Sequence, residues 1–298
     1  MYLSYYELNE LPFRLTPDPR FLHLAEPHRA VLTSLVEGVL LRKGIIVATG
    51  PIGTGKTTLL HAALQLLSGP AIAKSLIASA FILNPLLTRD ELLEAILEEF
   101  GLTASGTSKP RRLMALHQML LDIQSKGGTA VLIIDEAHLL TPELLEEVRL
   151  LNNADTYHEK LLQVILCGQP ELQPLLARPE MAALRQRVAS RCALRPLSAA
   201  ETRTYIAERL HAAALRGPSP FTGPALEEIH QITRGVPRLI NLLCDGALTA
   251  GHAQDRKQVG PDLVLEAAMS LELVDLPGAP AHPAVRSVTK EGGTARMA

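Results

Sequence analysis

Five short apolar runs, rich in β-branched residues, mark the first two thirds of the chain: 45–49, 79–83, 130–134, 162–167 and 191–195. Runs of this length read as buried strands. Helix-period patterns fill the intervals at 57–67, 89–100, 110–126, 142–151 and 180–186. Strands alternating with helices predict an α/β domain over 31–197. Its sheet is expected to be mostly parallel and covered on both faces, giving three layers. Ligands of such sheets bind beyond the carboxyl ends of the strands.

The pattern changes after residue 197. Ser198 with Glu201 three positions later is a capping box, predicting a helix to about 213. Further helices are expected at 223–233, 236–252 and 261–272, with no strand. Residues 198–273 therefore read as a small all-helical domain. Residues 1–30 read as an irregular lead-in, because Pro12, Pro17, Pro19 and Pro27 interrupt any long helix. Tyr5, Tyr6, Phe13 and Phe21 gather there, so the lead-in is expected to pack on the core, near the nucleotide base. Residues 274–298 carry Pro277, Gly278, Pro280, Pro283, Gly292 and Gly293 with few large apolar side chains, and read as a disordered tail.

Composition narrows the function classes. The chain has 298 residues, 47% of them apolar, no tryptophan and only 3% aromatics, so its core must be built from Leu, Ile, Val and Ala. A net charge of −2 gives no global signature of a nucleic-acid binder, though a local basic patch stays open. No apolar run reaches the ~18 residues that span a bilayer. The N-terminus lacks a signal-peptide pattern, and a cytoplasmic protein is expected. Cys167, Cys192 and Cys244 are odd in number, far apart and set in apolar segments, which reads as buried thiols.

The chemistry starts at Gly50-Pro51-Ile52-Gly53-Thr54-Gly55-Lys56-Thr57, a complete G-x-x-x-x-G-K-[ST] loop between strand 45–49 and the helix opening at Thr57-Thr58. Glycines let backbone N–H groups curl toward phosphate oxygens, and the positive end of the helix adds to the attraction. Lys56 is placed to reach the β- and γ-phosphates of ATP, and the Thr57 hydroxyl to ligate Mg²⁺.

Strand 130–134 delivers Asp135 and Glu136 at its carboxyl end. Asp135 is placed to hold Mg²⁺, directly or through water, and Glu136 to polarise the attacking water. His138 either orients Glu136 or caps the next helix. Gln169 follows strand 162–167, where it contacts the γ-phosphate or merely turns the chain before Pro170. Arg185, Arg187, Arg191 and Arg195 crowd one stretch. They form a solvated surface, or one of them stabilises the γ-phosphate of a neighbouring subunit, with Arg187 the first candidate. In Gly235-Val236-Pro237-Arg238, Pro237 suits a first helical turn. Arg238 there either senses the nucleotide or points to water.

The order of these motifs resembles an AAA+ ATPase with a helical lid. More narrowly, the chain resembles the general secretion pathway ATPases of the ExeA/GspA type. The resemblance is carried by Tyr5-Tyr6-Glu7-Leu8 through Leu11-Pro12-Phe13-Arg14-Leu15-Thr16-Pro17-Asp18-Pro19-Arg20-Phe21-Leu22, then Gly168-Gln169-Pro170-Glu171-Leu172, Leu184-Arg185-Gln186-Arg187 and Gly235-Val236-Pro237-Arg238-Leu239-Ile240-Asn241. It runs to about residue 270. It implies Mg²⁺-dependent ATP hydrolysis in a homo-oligomer with shared sites, coupled to assembly or remodelling of a secretion, pilus or envelope complex. It also implies a cytoplasmic motor, held at the inner membrane only through a partner. Related ATPases serve transposition as DNA-binding regulators, so ATP-dependent DNA affinity is the alternative, and a nucleotide-switched scaffold with little turnover is another. Members often continue into a transmembrane helix and a peptidoglycan-binding region. Here the motor module alone is expected.

Overall fold

The structure is a computed structural model that describes residues 2–15, 26–69, 76–103, 108–155 and 159–274. The segment Thr16–Leu22 and the tail from 275 onward lie outside the described residues. Five parallel strands form one sheet: Ile45–Thr49 (β1), Ile77–Ile82 (β2), Thr129–Ile134 (β3), Leu162–Gly168 (β4) and Val188–Ala193 (β5), in the spatial order β2-β3-β4-β1-β5. The acid-bearing β3 is therefore separated from the loop-bearing β1 by β4 alone.

Side chains alternate across this sheet and divide its apolar content into two cores. Ile45, Val47, Leu132, Ile134, Val164 and Leu166 face one side, where Arg89–Glu99 (α3), Lys109–Ser125 (α4), Pro142–Leu151 (α5) and Ala182–Arg187 (α7) cover them. Ile46, Ala48, Val131, Ile133, Ile165 and Cys167 face the other, under Glu26–Leu40 (α1) and Lys56–Leu67 (α2). Both faces are buried, so the central strands read as continuous apolar runs.

A third core belongs to Ala199–Ala212 (α8), Gly223–Thr233 (α9), Pro237–Ala253 (α10) and Pro261–Ser270 (α11). Its helices start where the chain supplies caps. Ser198 and Glu201 close the expected capping box, and the Thr222 hydroxyl accepts from Ala225 N–H. The Arg195 guanidinium, then the cap N–H and hydroxyl of Ser198, hold the Glu201 carboxyl down at about 2.

The lead-in is shorter than expected: α1 starts at Glu26, because Pro27 sits in its first turn, where a missing N–H costs no helical bond. Its described aromatics pack on a core as expected, and that core is the helical one. Tyr2, Tyr6, Leu8 and Phe13 are buried among Tyr205, Phe221, Leu243 and Leu263. The Tyr2 hydroxyl donates to Asp245 and the Tyr6 hydroxyl to the Arg256 carbonyl. The Arg209 guanidinium donates to the Pro12 and Arg14 carbonyls at 2.6 and 3.0 Å, and the Lys257 ammonium lies 3.7 Å from the Tyr5 ring centre.

Both edge strands are displaced from their expected runs, and β2 spans 77–82 rather than 79–83. β5 spans 188–193 rather than 191–195, since only its alternate residues Val188, Ser190 and Cys192 are half-buried, and an apolar run is no guide to such a strand. Leu172–Ala177 (α6) is a helix that the sequence pattern did not predict; it is short and contains Pro174. Cys167 and Cys244 are buried and Cys192 is half-buried, all as free thiols; burial pushes Cys192 up to about 11.

Candidate nucleotide site

The phosphate loop, the two acids and Gln169 lie at the carboxyl ends of β1, β3 and β4. After Thr49 the chain turns through Gly53 (φ +77°) and Gly55 (φ +94°), conformations that disfavour any side chain. A Cβ at Gly53 would also sit 2.9 Å from Val236 Cγ1. The Thr54 hydroxyl donates to Pro51 O at 2.8 Å and closes the loop on itself. No side chain caps α2, so the free N–H groups of its first turn face the loop's hollow, a disposition suited to an anion. Lys56 is buried, its Nζ donating to Gly50 O at 2.9 Å and Pro51 O at 3.2 Å. Ile52 projects into solvent from the outer rim, and Thr58 continues the first turn of α2 behind Thr57.

Asp135 is 2% exposed. Its Oδ2 accepts from the Thr57 hydroxyl at 2.5 Å, and its Oδ1 from the Glu136 N–H at 2.9 Å. Among the described residues no cation pairs with it. Glu136 itself has φ +49°, ψ +34°, a left-handed conformation costing of order 1–3 kcal/mol for a residue with a side chain. Its Oε2 is buried and accepts no hydrogen bond among the described residues; His138 Nδ1 stands 3.3 Å away.

Gln169 is the first residue past β4, beside β3 as its position in the sequence implied, and its N–H points at His138 Nδ1 from 3.4 Å. Arg238 opens α10 directly over the loop. Its N–H donates to Gly53 O at 3.1 Å, while its side chain is exposed. This junction depends on Gly235 (φ +75°), whose carbonyl accepts from Leu197 N–H at 2.8 Å; a Cβ there would overlap Leu197 O at 1.8 Å.

The four arginines separate. Arg185 Nη1 donates to Ala177 O at 2.9 Å, and Arg195 pairs with Glu201 at 2.7 Å. Arg187 is half-buried as the last residue of α7, near Glu146 of α5, and Arg191 is exposed on the edge strand. The structure does not bring Arg187 or Arg191 to the chain's own loop.

Two residues that sequence reasoning missed line the site. His28 of α1 is buried with Nε2 2.9 Å from Thr54 O. Gln173 of α6 donates to the Thr49 hydroxyl at 3.0 Å, fastening α6 to the end of β1. Both belong to helices whose sequence patterns gave no signal.

Comparison with known proteins follows this geometry. Residues 40–176 match a family described as an AAA domain. The general secretion pathway protein A of Aeromonas hydrophila is 40% identical over 269 residues, which is 90% of this chain. The chain spans about half, 48%, of the length of that curated relative. Among solved structures, the Aeropyrum pernix ORC2 protein in its ADPNP–ADP complexes aligns over 90% of this chain and 73% of its own, with TM-score 0.64 and 16% identity. The Thermotoga maritima RuvB Holliday junction branch migration motor aligns over 87% and 73%, with TM-score 0.55 and 20% identity. At these identities the two structures share the fold.

Proposed function

We propose that this chain, which belongs to the AAA+ ATPases of the general secretion pathway protein A type, hydrolyses ATP between its phosphate loop and its helical lid. Hydrolysis drives assembly or remodelling of a secretion, pilus or envelope protein complex. The observation that carries the site is the 2.5 Å contact between Thr57 and Asp135, which joins two motifs 78 residues apart.

In this reading the loop Gly50–Thr58, through its free backbone N–H groups, and the Lys56 ammonium bind the phosphates. Asp135 is a buried carboxylate lacking a cation, set against a hydroxyl oxygen. These are hard oxygen donors suited to Mg²⁺, which takes one or two protein oxygens and completes its shell with phosphate and water. Thr57 and Asp135 would hold the ion, and it would neutralise charge on the β- and γ-phosphates. Glu136 takes the proton of the attacking water, its side chain 39% exposed at the carboxyl end of β3. Gln169 orients the γ-phosphate from the end of β4. Arg238, tied to Gly53 through the backbone, reports the phosphate's presence to the lid. Arg187, distant from its own loop, serves the site of an adjacent copy, so turnover needs a homo-oligomer.

No described helix is long and apolar enough to cross a membrane. Attachment at an inner membrane would run through a protein partner.

Lys56→Ala tests the binding half. Removing an ammonium that meets phosphate costs about 1.5–3 kcal/mol, a roughly ten- to hundredfold loss of ATP affinity. Isothermal titration on variant protein of parental circular dichroism reads it, and unchanged affinity would sink the assignment.

A further inference from the structure

His138 occupies the middle of the 3₁₀ turn Ala137–Leu139 that follows the two acids. It is not the cap of the next helix: Thr141 fills that place, accepting from Leu144 N–H. Its ring faces two groups instead. Nδ1 lies 3.3 Å from Glu136 Oε2 and 3.4 Å from the Gln169 backbone nitrogen. Both separations are long for a hydrogen bond; the Gln169 N–H donates to Nδ1 in this arrangement, and Glu136 Oε2 lies within reach of the same nitrogen. The ring is largely enclosed, at 11% side-chain exposure. Below it is Gly168, where a Cβ would come 3.0 Å from His138 N and 3.4 Å from Nδ1.

A ring nitrogen offers one N–H or one lone pair, never both. With hydrogen on Nδ1, the ring donates to Glu136, and the Gln169 N–H has no acceptor there. With hydrogen on Nε2, Nδ1 accepts from Gln169, and Glu136 Oε2 has no donor. The exchange is between neutral tautomers and needs no change of charge.

We propose that His138 is a positioning residue for hydrolysis: its Nδ1 alternates between the Glu136 carboxylate and the Gln169 backbone, so that one ring sets both the end of β4 and the aim of Glu136. This rests on Glu136 as the water-activating group. Bonded to the ring, Glu136 is turned away from a water; when the ring turns to Gln169, the carboxylate is free to meet it.

The test uses the full chain, with single-turnover and steady-state ATP hydrolysis, nucleotide affinity and thermal melting. His138→Leu keeps the bulk and loses the nitrogen. His138→Asn returns an amide near Nδ1 that both donates and accepts. We expect His138→Leu to lower kcat roughly ten- to hundredfold, the scale of a misplaced reacting group, with ATP affinity unchanged. His138→Asn should recover most of the loss. In a Glu136→Gln background His138→Leu should change nothing further. If the leucine variant does not fold, His138→Ala replaces it. Full turnover in His138→Leu, an equal loss in the Glu136→Gln background, or an effect confined to affinity or melting overturns the inference while leaving Glu136 as base. Full turnover in Glu136→Gln removes both.

Discussion

Glu136→Gln is expected to bind ATP with parental affinity and to hydrolyse it on the order of 10²–10⁴-fold more slowly, the scale of a lost general base. The amide matches the carboxylate in size and still hydrogen-bonds, but it cannot take a proton. Binding survives because Glu136 touches neither Lys56 nor Thr57; its only bond to the metal-side carboxylate is through its backbone N–H. The left-handed backbone is retained, since glutamine tolerates it no worse than glutamate. Phosphate release under single-turnover conditions, with nucleotide affinity measured beside it, separates the two halves. Near-parental turnover would show that another group activates the water.

Arg187→Ala carries the second large effect. If its guanidinium serves a neighbour's γ-phosphate, the variant binds ATP normally and loses about 10³-fold or more in kcat. Mixing it with Glu136→Gln should restore activity. At some interfaces an Arg187→Ala subunit keeps a working Glu136 and receives the arginine of its Glu136→Gln neighbour. The structure sharpens the choice among the candidates. Arg185 is engaged with the carbonyls ending α6 and Arg195 with Glu201. Arg187 and Arg191 remain, one closing α7 and the other in the middle of the edge strand β5. Arg187 also lies near Glu146, which Arg149 already holds through two bonds of 2.8 and 2.6 Å. If Arg187 is purely structural, Arg187→Ala lowers the melting temperature and mixing rescues nothing. Rescue with Arg191→Ala instead moves the cation into β5 and keeps the shared site.

The parts of this molecule that were legible in the sequence are those set by local chemistry. β1, β3 and β4 are buried on both faces, so their runs are apolar on both, interrupted in β4 by Gln163. The phosphate loop is legible because its glycines, lysine and threonine must be contiguous. Ser198 and Glu201 bond each other within one turn. Illegible parts are decided by distant packing. Pro27 looks the same whether it breaks a helix or begins one, and only the docking of α1 on the sheet tells which. His28 reaches Thr54 O across 26 residues, and Gln173 reaches Thr49 across 124. The shift of β5 has another cause: an edge strand shows the core every second residue. The lid arginine was recognisable from Gly235-Val236-Pro237-Arg238, yet the backbone bond from Arg238 to Gly53 was not.

The placement of the first aromatics sets an order of events on the ribosome. Tyr2 and Tyr6 bond partners 243 and 250 residues further along. At about 5–20 residues per second, they emerge roughly 12–50 s before the helices that receive them. Meanwhile β1 to β5 are already complete, and the sheet can close first. Tyr2, Tyr6, Leu8 and Phe13 spend that interval without their native neighbours. Closure of the helical core therefore waits for the last helices, and it joins the two ends of the described chain.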